Sequence, residues 1–280
     1  MIFKNSIIFI KERFPLYITI PLSVILYLSP AAGHLDIIYL LTGIPTVFLI
    51  LLIIRFVDDY SDMDIDRIKD PSRSLVKGTI QLPKIKQEMR ILFVFTLLLQ
   101  FTSIYNLIIF LSVTILYLAF FKFKSRITVF LYPWIVNLYF LIIPAYVTII
   151  FDFQTFSTFI IWGIFYYVAV VAHDYGHSIR RKLPDEKLPD LGTVINPGIL
   201  SFTSLLLFLI DSIAGIVIFK MKGSWPFLMT LCLMMIILFP LLIKLVIDPS
   251  EKQAKKIYIP GFLFFIMPSL AYLIESLILK

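Results

Sequence analysis

The sequence predicts an all-α integral membrane protein, a bundle of nine transmembrane helices with its N-terminus in the cytoplasm. Three observations predict it. Of the 280 residues 60% are hydrophobic and 15% charged, more apolar surface than a soluble domain can hide. The apolar residues come in runs of about 20, the length that crosses a ~30 Å hydrocarbon core as a helix. Lysine and arginine gather in alternate loops, following the preference of basic residues for the cytoplasmic side.

The spans are predicted at roughly 15–32, 35–57, 84–104, 106–122, 127–150, 154–173, 197–219, 225–247 and 257–278. The third and fourth share a stretch, Ile91 to Phe121, that runs without a charged residue. As one helix it would be about 46 Å long, more than a single crossing needs. Two helices fit if the first begins near Pro83, a good first-turn residue. Charge decides for two. All of the 25 lysines and arginines except Lys220, Lys222 and Lys280 then fall on the cytoplasmic side. One span in that region would throw the later basic loops outward. The net charge of +7 is therefore mostly topological and does not call for nucleic acid.

No internal repeat and no separate soluble domain is visible, so residues 1–280 read as one transmembrane domain. The outer connections are short: Gly33–His34, the neighbourhood of Tyr105, and Asp152–Gln154. The inner loops are long and polar, and two of them, about 58–83 and 174–196, are expected to cap a site facing the cytoplasm. The N-terminus lacks a signal-peptide pattern, and its first apolar run reads as a retained span. A chain that begins directly with spans favours a prokaryotic cytoplasmic membrane. The single cysteine, Cys232, excludes an intrachain disulfide and reads as a small buried hydrophobe.

The chemistry begins where the second apolar run stops. Residues 58–73 read DDYSDMDIDRIKDPSR. On a helix turning about 100° per residue, Asp58, Asp59, Asp62 and Asp66 share an arc of about 100°. Arg55 and Lys69 lie in the same arc, whereas Asp64 points elsewhere into solvent. Like charges on one stripe repel unless a cation sits among them, and acids beside a bilayer are rarely idle. Oxygen ligands suit Mg²⁺, which takes one or two carboxylates plus substrate phosphates. Arg67, Lys69, Arg73 and Lys77 follow, bases suited to phosphate oxygens. Acids and bases together point to a Mg²⁺–diphosphate site.

In the loop after the fourth span, Lys122 lies near the interface and within reach of a phosphate. Lys124 and Arg126 read as topology anchors. In the loop after the sixth span, His173 and His177 are four residues apart with Asp174 between them. The text HDYGH lacks the glutamate of the zinc-protease motif. Asp174 reads better as a further Mg²⁺ carboxylate, with Arg180, Arg181 and Lys182 near phosphates and the histidines as neighbouring hydrogen-bonders. Asp211 and Asn137 lie inside spans, where a polar group is either functional or bonded to a neighbouring helix.

This pattern resembles the UbiA-type intramembrane prenyltransferases. That family carries Asn-Asp-x-x-Asp-x-x-x-Asp after its second helix; here the text is Asp58-Asp59-x-x-Asp62-x-x-x-Asp66, with aspartate leading. Residues 73–78, RSLVKG, resemble its Arg-Pro-x-x-x-Gly segment without the proline. Tyr117 and Lys122 resemble its Tyr…Lys pair. Asp174 matches the first acid of its Asp-x-x-x-Asp motif, but Ser178 stands in place of the second. The resemblance implies a nine-helix UbiA-like bundle and a Mg²⁺-bound isoprenyl diphosphate whose allylic C–O bond ionises. A small aromatic or lipid acceptor would then capture the carbocation. It assigns Asp58, Asp59, Asp62, Asp66 and Asp174 to Mg²⁺, and Arg67, Lys69, Arg73, Lys122, Arg180 and Lys182 to the diphosphate. An intramembrane terpene cyclase using isoprenyl diphosphate alone is the alternative. A transporter fits less well: transporters place charge near the midplane between internal repeats, and here the acids cluster at one face. The phosphatidyl-alcohol transferases need glycines among their acids, and residues 58–74 have none.

Overall fold

The computed structural model describes residues 3–31, 37–151, 156–179 and 191–278. The expected outer connections Gly33–His34 and Asp152–Gln154, and the loop from Arg180 to Asp190, lie outside the described residues. No strand occurs among those described. Among the described residues five helices are long and apolar enough to cross a membrane, six if a bent pair at the N-terminus is one span. The chain is an all-helical integral membrane protein. It divides into two compact units, one of Met1–Tyr27 with Leu35–Lys124, the other of Leu28–His34 with Ser125–Lys280.

The first unit opens with α1 (Lys4–Arg13) and α2 (Leu16–Ala31, whose last turn belongs to the second unit), bent by 83° at Phe14–Pro15. Helix α3 (Ile37–Ser61) carries the apolar run straight into the acids. A one-residue break at Asp62 separates it from α4 (Met63–Lys69). Backbone bonds from Asp62 N to Asp58 O (3.0 Å) and from Asp66 N to Asp62 O (2.8 Å) cross the break, so helical register is kept. The stripe expected on one helix therefore survives as a stripe on two.

The stretch from Ile91 to Phe121 is two helices. Helix α5 (Leu82–Leu99) starts with Pro83 in its first turn, and α6 (Ile104–Phe123) starts at Ser103, whose hydroxyl accepts from Tyr105 N. A 3-10 turn at Gln100–Thr102 joins them. Buried Gln100 fixes that turn by donating to Thr46 Oγ1 (3.0 Å) and Thr96 O (2.7 Å). An amide buried in apolar surroundings has to be paired this way.

Helix α1 is held by a buried acid on another helix. Glu88 on α5 accepts from Asn5 N (3.3 Å) and Ser6 N (2.6 Å), and from both of their side chains. These are first-turn N–H groups without intrahelical partners, and a carboxylate there also meets the positive end of the helix dipole. Farther along, Asn5 Oδ1 accepts from Gln81 N (3.0 Å) and Glu12 from Ser74 N (3.1 Å). The loop that follows the acids is thus stitched to α1.

In the second unit, α7 (Tyr132–Val136) and α8 (Leu138–Phe151) lead to α9 (Phe156–His177). A short α10 (Leu191–Val194) precedes α11 (Pro197–Lys222), α12 (Trp225–Ile247) and α13 (Glu251–Ile278). Asn196 and Ser224 cap α11 and α12, each with proline in the first turn, and Gly223 ends α11 at φ 68°. Helix α9 packs on α8, α11 and α13. Glycines allow the approach: a side chain at Gly163 would lie 2.7 Å from the Leu141 carbonyl oxygen, and one at Gly176 2.7 Å from Ser204 Oγ. Trp162, Phe165, Tyr166 and Phe227 fill the core beside them. Cys232 is exposed on α12, not buried as expected. In a span, a small apolar group is as well satisfied facing lipid as facing protein.

Replacing Glu88 by alanine is expected to cost about 1–3 kcal/mol, because the α1 donors lose their acceptor inside the fold. Glu88→Gln keeps one acceptor oxygen and is expected to cost less. Thermal unfolding in detergent checks both, and an unchanged midpoint for the alanine variant would contradict the role given to Glu88.

Candidate active site

The four aspartates of the stripe divide into two pairs by their surroundings. Asp59 and Asp66 are buried, 5% and 6% exposed, and are held by arginine. Arg13 grips Asp59 with two bonds, Nε to Oδ2 (2.6 Å) and Nη2 to Oδ1 (3.0 Å). Arg55, one turn back on α3, adds Nη2 to Oδ1 at 3.1 Å. Arg73 pairs with Asp66 and reaches Asp70 at 3.4 Å. The space left among Arg13, Asp59, Asp66 and Arg73 is about 10 Å³, at the lower limit for one water. A buried carboxylate needs such forked, charge-assisted partners, and here they come from α1, α3 and the loop after α4.

Asp58 and Asp62 are half-buried and share a cation of a different kind, although Arg55 Nη1 also lies 3.6 Å from Asp58 Oδ2. The Lys124 ammonium lies 2.6 Å from Asp62 Oδ1, 3.4 Å from Asp58 Oδ1 and 3.1 Å from Ser61 Oγ. Three oxygens from one turn of helix thus surround a single compact charge. Asp62 stands at φ −97°, ψ 7°, a sparsely populated backbone region common at active sites, and its side chain makes no capping bond. Burial pushes the Asp62 carboxyl above the usual aspartate range, against the lowering pull of its bond to Lys124. Desolvation therefore leaves Asp62 in need of a cation.

These positions correct the sequence reading at Lys124. It was expected to be a topology anchor, with Lys122 as the reaching residue. In the structure Lys124 meets the acids, while Lys122 is exposed, its ammonium 5.7 Å from the Phe123 ring centre. The 3-10 turn that begins at Lys124 alters the direction expected from a helix continued past Phe123. Arg13 was likewise counted only as an anchor. Its one legible signal is its place at the end of a polar helix next to the first span. Arg55 shares the acid arc as expected. Asp64 is 88% exposed and among the described residues pairs only with Arg67 at 2.8 Å, which leaves Arg67 on the surface. Tyr117 is buried against Phe120 and Phe121. The Lys69 side chain, Arg180 and Lys182 lie outside the described residues.

In the second unit, Asp174 is 34% exposed at the end of α9. Asn137, at the break between α7 and α8, donates to Asp174 Oδ2 (2.7 Å) and to Pro133 O (2.9 Å). This resolves Asn137 as a residue that orients an acid. Ser178, where a second acid was sought, turns its hydroxyl back to the Asp174 carbonyl (2.5 Å). His173 is buried; its Nε2 lies 3.0 Å from the Tyr258 carbonyl, so that nitrogen carries the proton. Its Nδ1 is 3.7 Å from Asp174 Oδ1, and its ring stacks on His177. Asp211 is fully buried on α11, and neither carboxylate oxygen has a hydrogen-bond partner among the described residues.

Among the described residues no three of His, Cys, Asp and Glu converge as a ready-made metal cage. Mg²⁺ does not need one, because it takes one or two carboxylates and completes its shell with water and phosphate oxygens. Asp58 and Asp62 fit that requirement. They are neighbouring oxygen donors already holding a cation, and the ammonium of Lys124 shows where positive charge is favoured between them.

No family model matches the sequence, and no curated protein matches it either. The fold does have a counterpart. The structure of a digeranylgeranylglyceryl phosphate synthase in membranes superposes with a TM-score of 0.71 over 98% of each chain, at 22% sequence identity. At that identity the similarity is one of fold.

A carboxyl raised in the fold binds its proton more tightly folded than unfolded. It stabilises the fold below the ordinary value of 3.8 and loses that contribution as pH rises through its folded value. Asp62→Asn is therefore expected to raise the unfolding midpoint at neutral pH, with the gain vanishing below about pH 3.8. Thermal unfolding in detergent across that range checks it. Equal midpoints at neutral pH would show that the Asp62 charge costs the fold nothing.

Proposed function

We propose that the protein is a Mg²⁺-dependent intramembrane prenyltransferase that moves an isoprenyl group from isoprenyl diphosphate to a small aromatic or lipid acceptor. The observation that carries this is the pair Asp58 and Asp62 around Lys124, at the end of a membrane-spanning helix. The Asp-rich motif fits the same reading, as does a fold like that of a digeranylgeranylglyceryl phosphate synthase.

Asp58 and Asp62 would hold the metal, and the motif resemblance makes Asp174, in the second unit, a separate candidate carboxylate. When bound, Mg²⁺ supplies positive charge against the diphosphate, the group that must leave with the bonding electrons of the allylic C–O bond. The chain's own residues do the rest. Lys124 would turn its ammonium from the carboxylates to phosphate oxygens of the diphosphate, leaving Asp58 and Asp62 to hold the metal. Its flexible stem allows that movement, and its charge stays beside the leaving group. Arg13, Arg55 and Arg73 hold Asp59 and Asp66 in place, keeping the end of α3 rigid while Lys124 moves. Asn137 fixes the rotamer of Asp174. Arg67, Lys69, Lys122, Arg180 and Lys182 are further candidates for diphosphate oxygens, and Lys122 is the most readily available of those described. The prokaryotic cytoplasmic membrane, with the acids facing the cytoplasm, belongs to the same reading.

The reading is tested by diphosphate release from purified protein with Mg²⁺ and isoprenyl diphosphates of 10 to 20 carbons, first without acceptor and then with lipid extract. Release only with extract is expected. Release without acceptor, with a hydrocarbon product, would favour the cyclase. Asp62→Ala is expected to lower release on the order of 100-fold, the usual effect of removing one group that stabilises developing charge. Lys124→Ala is expected to raise the KM for the diphosphate more than it lowers kcat. Near-normal turnover by folded Asp62→Ala protein would remove this site from the account.

A further inference from the structure

The first unit holds a cavity of about 480 Å³ between α3, α5 and α6, a size typical of small-molecule sites. It is not the acid site. On α3 its walls include Ile50, Ile54, Val57 and Tyr60, centred about 180° around the helix from the aspartates at ~100° per residue. Its lining is mostly apolar, with Lys86 and Arg90 one turn apart on α5, and no acid lines it among the described residues. Lys86 donates to Tyr60 Oη (2.7 Å) and lies 4.0 Å over the Tyr60 ring, both neutral partners. Neither Lys86 nor Arg90 makes an ion pair among the described residues. Glu88, between them in sequence, is turned away to Asn5 and Ser6. Tyr60 lies beside Asp59 near the end of α3, so the cationic end of the cavity sits at the edge of the hydrocarbon.

We propose that this cavity binds a membrane phospholipid with an anionic headgroup, its phosphate on Lys86 and Arg90 and an acyl chain along the apolar wall. The chemistry is complementary at both ends. Two unneutralised cations at the interface attract a negative headgroup, and the greasy slot beneath them excludes water but admits a chain. Tyr60 joins the two sites through a single turn of α3: it touches Lys86 on one side and adjoins Asp59 on the other. A lipid seated there would brace the helix end that carries the acids. This site stands whether or not the chain transfers prenyl groups.

The test is native mass spectrometry of the full chain in detergent, titrated with phosphatidylglycerol and with phosphatidylcholine of the same acyl chains. Wild-type protein is expected to retain one phosphatidylglycerol about ten- to thirty-fold more tightly, the effect of two interfacial cations. The double variant Lys86→Gln/Arg90→Gln is expected to lower that lipid to the phosphatidylcholine level. Thr114→Trp, which fills the cavity from α6 and leaves both cations, is expected to abolish tight binding; circular dichroism confirms folding of both variants. Equal affinity for the two lipids in wild-type protein, or a preference that persists in both variants, would overturn the proposal. So would one-for-one displacement of phosphatidylglycerol by an isoprenyl diphosphate, which would make the cavity a substrate site.

Discussion

Four carboxylates within a few turns of hydrocarbon are the constraint around which the first unit is built. Left alone they would repel one another and resist burial. The structure answers with cations drawn from separate elements: Arg13 from α1, Arg55 from α3, Arg73 from the loop after α4, and Lys124 from the end of α6. The bonds of Arg13 and Lys124 each close a long stretch of chain onto the end of α3. The polar stitching of α1 by Glu88, Gln81 and Ser74 follows from it, because α1 has to be held in place for Arg13 to reach Asp59.

The two kinds of cation divide the labour. Guanidinium is planar and forked, suited to a fixed buried pair, whereas an ammonium is a compact charge on a flexible stem. Arginine holds the two aspartates that are buried, whereas the two that are half-exposed share Lys124, with Arg55 reaching Asp58 as well at 3.6 Å. This pairing explains why a stripe of like charges is stable without a dedicated metal cage. The second unit repeats the logic with weaker means: Asp174 is oriented by the neutral amide of Asn137, at a helix end that Ser178 closes with its hydroxyl.

A membrane protein also changes what exposure means. Cys232 faces outward, and Glu88 and Gln100 face inward, the reverse of what residue type suggests in water. Lipid makes no demand on a thiol, while the interior supplies donors and acceptors that the bilayer lacks. Asp211 is the exception, buried on α11 without a hydrogen-bond partner among the described residues.

The helical class, a helix start near Pro83, a connection in the neighbourhood of Tyr105 and the acid stripe were legible in the sequence, because hydropathy, first-turn preference and helical period are local properties. The arc shared by Asp58, Asp59, Asp62 and Asp66 needed only about 100° per residue to be drawn. Which cation serves which acid was not legible. Lys122 and Lys124 differ by two positions in a basic loop, and only the 3-10 turn after Phe123 decides that the second meets Asp58 and Asp62. Arg13 and Asp59 are far apart in the chain, and Lys86, Tyr60 and Thr114 line one cavity from three helices. Such pairings depend on how helices pack and rotate against one another, and no local pattern encodes them. The sequence determined what kind of chemistry stands at the membrane edge; the tertiary structure decided which residues hold it and which remain free to move.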